Sequence, residues 1–182
     1  NIDILAALGY DYLEAGFSKV ALFSQAEFDA ALSKVSASPV KVEAFNVMVP
    51  GNLRLTGPDV HPEEIQAYLE GAFPRAAALG GRVIVFGSGG ARRIPEGWTT
   101  DEAWKQLIAY LRQCAPLCEK YGLTIAIEPL RQAETNIVHT VREGAALAAA
   151  VASPFVGVLG DTYHMHAENE PLSAFVDAKA WL

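Results

Sequence analysis

Apolar and polar positions along the chain alternate between a helical and a strand period. Ile2, Leu5, Ala6 and Leu8 recur at helical spacing and stop at Gly9, a normal C-terminal glycine. Asp11–Glu14 reads as a short strand ending on an acid. Ser24 and Glu27 form a capping box that opens a helix with Phe28, Leu32 and Val35 on one face. Val40–Val47 alternates and is rich in β-branched and aromatic residues, so it predicts a strand, followed by a loop from Pro50 to about His61. Pro62, Glu63 and Glu64 suit the first turn of a helix whose stripe is Ile65, Leu69, Ala72, Phe73 and Ala76; Pro74 inside it predicts a kink. Gly80-Gly81 ends that helix, and Arg82–Gly87 is an apolar strand of the kind buried on both faces of a parallel sheet.

The same rhythm repeats in the second half. A glycine-rich loop, Gly87–Arg93, leads to a second capping box, Thr99 with Glu102, and to a helix with Trp104, Leu107, Ile108, Leu111, Ala115 and Cys118 on its stripe, closed by Gly122. Thr124–Ile127 is a strand that runs into Glu128-Pro129-Leu130. Thr140 and Glu143 cap a further helix through Leu147 and Val151, the segment Val156–Asp161 is a strand, and Pro171–Leu182 reads as the start of a last helix. Strands separated by helices are the mark of stacked βαβ units and a parallel sheet. Both a doubly wound open sheet and a (β/α)8 barrel fit this pattern, and in either the site lies at the C-terminal ends of the strands.

Composition narrows the picture. The chain has 182 residues, 51% of them apolar, which is enough for one folded domain, 1–182. The first residue is Asn1 and the helical spacing begins at once, so the sequence is expected to be part of a longer protein. The net charge of −7 disfavours a general binder of phosphate backbones. Cys114 and Cys118, in no zinc or disulfide spacing, are expected to be buried thiols. With no signal peptide and no long apolar run, a cytoplasmic protein is expected.

Three strands end on acids: Glu14, Glu128 and Asp161. One such acid alone is read most simply as a helix cap or an arginine partner. Glu128 and Asp161 together, with Glu134 and His164 nearby, point to a metal or acid/base site, because hard divalent cations take carboxylate oxygens. His164 and His166 share one side if their segment is extended. His139, just before a cap, reads as structural, and His61 as an exposed helix start. The glycine-rich loop with Arg92 and Arg93 reads either as a phosphate cradle or as a flexible lid; it lacks the endings of a P-loop or a dinucleotide fingerprint.

Ile127-Glu128-Pro129-Leu130 with Glu134-Thr135-Asn136, and Gly160-Asp161-Thr162-Tyr163-His164-Met165, resemble the sugar phosphate isomerase/epimerase family with a xylose isomerase-like TIM barrel. Ketose 3-epimerases are the best-understood members. The segments Val49–Leu53 and Val85–Arg92 resemble uncharacterised members, and the likeness covers nearly the whole chain. It implies a (β/α)8 barrel of which this chain supplies about strands 2–6. It implies that Glu128 is both metal ligand and catalytic proton carrier, that Asp161 is a second metal ligand, and that Glu134 and His164 contact substrate. Glu14 is expected to reach the substrate as well. The implied cofactor is a divalent metal (Mn²⁺, Mg²⁺ or Co²⁺). Its remaining ligands, a histidine and a glutamate on later strands, fall outside this sequence, so its site is expected to be incomplete or empty here.

The implied activity is isomerisation or epimerisation of a small sugar or sugar derivative, by proton transfer through an enediolate. An inosose-type dehydratase, an endonuclease of the related barrel type and a non-catalytic sugar-binding barrel are the alternatives; the acidic charge argues against the endonuclease. The expected partner is a small-molecule sugar substrate, with no nucleic acid and no membrane, and a homo-oligomer is left open.

Overall fold

A computed structural model describes residues 2–182. Asn1, on which the ragged start was read, lies outside the described residues. The elements follow in the order α1 (Ile2–Ala7), β1 (Tyr12–Gly16), α2 (Phe17–Ala21), α3 (Gln25–Ala37), β2 (Lys41–Asn46), α4 (Pro62–Ala78) and β3 (Val83–Phe86). The second half is α5 (Gly89–Arg92), α6 (Thr100–Tyr121), β4 (Thr124–Ile127), α7 (Val141–Val151), β5 (Val156–Val158), α8 (Thr162–Ala167) and α9 (Ala174–Asp177).

The strands form one parallel sheet in the order β1-β2-β3-β4-β5. That order decides between the two architectures the sequence allowed. A doubly wound sheet reverses its strand order to place helices on both faces. Here the order never reverses, so right-handed crossovers put every connecting helix on one side, and the sheet is an arc of a barrel. Side-chain alternation follows. Ile84, Phe86, Ile125, Ile127, Val156 and Val158 are buried against the helices. Val85, Ala126 and Gly157 lie side by side on the inner face and are half-buried.

All three capping boxes form as the sequence indicates, at Ser24/Glu27, Thr99/Glu102 and Thr140/Glu143. Gly122 closes α6 in the left-handed conformation at φ 65°. Pro62 takes the first turn of α4, and Pro74 lies inside that helix without ending it. Phe17 meets Phe45 and Phe73 edge-on, with centroids 5.9 and 5.7 Å apart, and ties α2 to the sheet and to α4. Cys114 and Cys118 are buried free thiols. Among the described residues no helix is long and apolar enough to cross a membrane.

Four expectations need correction. Glu14 lies in the middle of β1, because the strand runs on to Gly16, and a bulge shifts its register against β2 between Leu13 and Glu14. The segment holding His164 and His166 is the helix α8, so the two rings do not share a face: His164 is buried and His166 exposed. The glycine-rich loop folds into the helical turn α5. Residues 171–182 hold only the single turn α9, after which the carbonyl of Trp181 accepts from the Val158 N–H at 2.7 Å.

The packing of α7 on β5 yields a test. A Cβ at Gly144 would come within 2.6 Å of Val158 Cγ2 and 3.3 Å of Pro129 Cγ. Alanine gains about 1 kcal/mol of helix propensity over glycine, whereas overpacking a core costs about 1–3 kcal/mol. Gly144→Ala is therefore expected to lower stability by about 1 kcal/mol net, read as a lower urea midpoint. An unchanged midpoint would mean that Val158 moves freely.

Candidate metal and acid/base site

Glu128 is the first residue past β4, and alternation turns it to the inner face beside Ala126. Room for its carboxylate comes from the neighbouring strand end, since a Cβ at Gly87 would overlap Glu128 Oε2. Asp161 lies three residues past the end of β5 and caps α8; its Oδ1 accepts from the Tyr163 N–H at 2.7 Å, which leaves Oδ2 for a ligand. The capping role of Asp161 and a ligand role are thus compatible. Ligand atoms of Glu128, Asp161 and His164 all lie within 4.8 Å of one another. The two carboxylates offer oxygen ligands that fit a divalent cation, with the imidazole beside them.

His164 has a defined orientation. The Arg131 backbone N–H donates to its Nδ1 at 3.3 Å. A neutral imidazole that accepts at Nδ1 carries its proton at Nε2, so the free side of the ring is a hydrogen-bond donor. This favours contact with a substrate oxygen over metal ligation. His139 is structural, as the sequence suggested, with Nδ1 2.9 Å from the Leu130 carbonyl. His61 sits exposed at the start of α4.

Glu134 lines the same cleft as Glu128, a cavity of about 330 Å³ whose walls include Asn46, Val47, Ser88 and Gly89. The Arg131 guanidinium bonds to Glu134 Oε1 at 2.7 Å and stacks 5.1 Å from the Tyr163 ring. Glu14 stands exposed on the inner face of β1, because its neighbours Leu13 and Ala15 pack into the helix-side core. Burial and the adjacent Asp161 charge raise the Glu128 pKa to about 7; Arg92 opposes that rise, while Glu14 and Glu134 add to it.

Arg92 is the group the sequence misread. It is fully buried. Its Nη1 donates to the Phe86 carbonyl at 3.0 Å, and its Nη2 to the carbonyls of Glu128 at 2.8 Å and Val138 at 3.3 Å. Arg93 reaches the Glu134 carbonyl at 3.0 Å. Arg92 therefore does not face a phosphate cradle: it points inward and donates to backbone carbonyls, while the exposed Arg93 gives one bond to the Glu134 carbonyl. The neighbouring loops are stitched to the glycine-rich loop. Val49 N–H donates to Ser88 Oγ at 2.9 Å, Leu55 N–H to the Ala91 carbonyl at 2.9 Å, and Asn136 exchanges two bonds with the Ile94 backbone. Arg131 and Tyr163 were likewise missed; their spacing to Glu134 and His164 in sequence was the available signal.

The raised pKa has a consequence for stability. Glu128 holds its proton more tightly folded than unfolded, so its contribution is fully present below about pH 4.5 and is lost as pH rises towards 7. In metal-free protein, Glu128→Gln is expected to match the wild type in Tm near pH 4 and to exceed it increasingly up to pH 8. A constant difference across that range would show that Glu128 titrates normally.

Residues 2–181 match the family model described as xylose isomerase-like TIM barrel. D-psicose 3-epimerase of Ruminiclostridium cellulolyticum is 22% identical over 184 residues, covering 96% of this chain and 60% of that protein. The structure of a Methylomonas D-allulose 3-epimerase with D-allulose superposes with a TM-score of 0.84 at 22% identity, over 100% of this chain and 62% of that one. The IOLI protein with a bound zinc atom gives a TM-score of 0.67 at 18% identity, over 96% of this chain and 61% of that one. The chain thus spans about three-fifths of the length of these relatives. With the family model matched almost end to end and the strand order of a barrel arc, this chain belongs to the xylose isomerase-like TIM barrel family.

Proposed function

We propose that the protein is a divalent-metal-dependent isomerase or epimerase of a small, uncharged sugar or sugar derivative, acting by proton transfer through an enediolate. The observation that carries this reading is the convergence of Glu128, Asp161 and His164 within 4.8 Å at the mouth of the barrel arc. The epimerases among the relatives and the zinc-bound IOLI protein support it. Glu128 and Asp161 would hold Mn²⁺, Mg²⁺ or Co²⁺, whose contribution is to polarise the carbonyl and hydroxyl oxygens of a ketose and acidify the adjacent C–H.

The remaining work falls to side chains of this chain. Glu128 removes the proton from that carbon, and a second acid returns it on the other face for epimerisation or at the neighbouring carbon for isomerisation. His164 offers Nε2–H to a substrate oxygen, Glu134 accepts from a hydroxyl, and Glu14 faces the same interior from β1. An uncharged substrate is favoured because Arg92 is buried on backbone carbonyls and Arg131 is paired with Glu134, so an anion would meet the carboxylates of Glu128 and Glu134.

The test is C–H exchange in D₂O with Mn²⁺ and D-fructose or D-psicose. Glu128→Gln is expected to lower the exchange rate by about 10²–10⁴-fold. Exchange that survives the substitution refutes the proton-transfer role, and tight sugar binding without metal dependence favours a binding protein. Gly87→Ala, which crowds the Glu128 carboxylate, is expected to weaken Mn²⁺ binding about 10-fold, measured by titration, with the fold intact.

A further inference from the structure

Arg92 carries a full charge into the core without a carboxylate bonded to it. Its acceptors are three backbone carbonyls from three segments: Phe86 at the end of β3, Glu128 just past β4, and Val138 in the loop before α7. Its Nε has no partner among the described residues. A buried guanidinium is costly, and a core arginine kept only for stability would serve as well as an apolar side chain of its size. What its planar fork can do that an apolar side chain cannot is fix three strand ends relative to one another.

We propose that Arg92 is a positioning residue, whose fork across Phe86, Glu128 and Val138 sets where the Glu128 carboxylate sits in the site. Two of the carbonyls also accept backbone donors: that of Phe86 from the Glu128 N–H at 3.1 Å and that of Val138 from the Leu130 N–H at 3.1 Å. Residues 128–130 are therefore held on both sides by groups that Arg92 also grips. Val138 is held in the left-handed region at φ 60°, an unfavourable conformation for a β-branched residue, which turns its carbonyl to the guanidinium. On the opposite side Gly87 leaves the space that the Glu128 carboxylate fills. Backbone clamp and glycine recess together leave the side chain little freedom. The inference rests on the proposed ligand role of Glu128, but only for its metal arm.

The experiment compares Arg92→Lys, which keeps the charge and loses the fork, with Arg92→Met. Amide hydrogen exchange in metal-free protein is expected to accelerate at least about 10-fold at Glu128 and Leu130, with Ile84 and Ile125 unchanged. Mn²⁺ affinity is expected to fall about 10- to 100-fold in either variant. Against a Glu128→Gln background, Arg92→Lys is expected to change Mn²⁺ affinity by less than about 2-fold, because the group it positions is gone. Unchanged exchange at Glu128 and Leu130 in the folded Lys variant, or acceleration spread evenly to Ile84 and Ile125, overturns the proposal. If Arg92→Met does not fold, the Lys variant decides alone. A wild type that binds no Mn²⁺ refutes the metal reading, while exchange at Glu128 and Leu130 still decides the role of Arg92.

Discussion

The site depends on a cation that the solvent never sees. Burial lowers the Arg92 pKa to about 10, while Glu128 and Glu143 pull it back up. The group therefore stays charged at neutral pH and has to be surrounded by oxygen. Phe86, Glu128 and Val138 supply those oxygens from segments that meet only in the folded barrel arc. Several local oddities follow. Ser88 adopts the left-handed region at φ 41° so that the chain can turn into α5 and aim Arg92 inward. Its Oγ also accepts from the Val49 N–H, which joins the preceding loop to the same turn.

The second constraint is repulsion among acids. Glu128, Asp161, Glu134 and Glu14 face one mouth, and each of the other three raises the proton affinity of Glu128. A charge cluster of this kind costs folding energy unless cations or hydrogen-bond donors are added. Arg131 answers part of it by bonding to Glu134 while stacking on Tyr163, and its backbone N–H fixes the ring of His164. Gln132 extends the same joint through two bonds to Glu168, at 2.7 and 2.9 Å. The loop after β4 and the helix after β5 are thus tied together by hydrogen bonds. That suits a site assembled from both.

Much of this was legible in the sequence, for physical reasons. The strands carry dense apolar runs, although only their helix-side face is fully buried and the inner face is half-buried, and three capping boxes mark the helices by local chemistry alone. Glu128 and Asp161 were legible because acids at the ends of successive parallel strands must converge. The short helices α2, α5 and α8 were not, since helices of four to six residues are formed by tertiary contacts rather than by periodicity. Glu14 was placed at a strand end because no local signal announces a bulge. Arg92 reads in the sequence as part of either a phosphate cradle or a flexible lid, because its acceptors lie 6, 36 and 46 residues away. A single sequence gives no means of pairing a cation with a distant carbonyl.

What is left free at the mouth argues for the nature of its ligand. Ionised carboxylates only accept hydrogen bonds, and Arg131 beside them is already paired with Glu134. On the proposed reading, these carboxylates call for hydrogen-bond donors and for one compact positive charge. A polyhydroxylated neutral molecule supplies donors on every carbon, and a divalent cation supplies the charge. A phosphorylated sugar would keep its hydroxyl donors but would bring negative charge towards the carboxylates. The loops around the cleft are cross-linked to one another by backbone and side-chain bonds, including those from Arg54 to the carbonyls of Gly90 and Arg93. Selectivity in such a site comes from preformed geometry, because donors and acceptors held in place before the ligand arrives need no ordering when it binds.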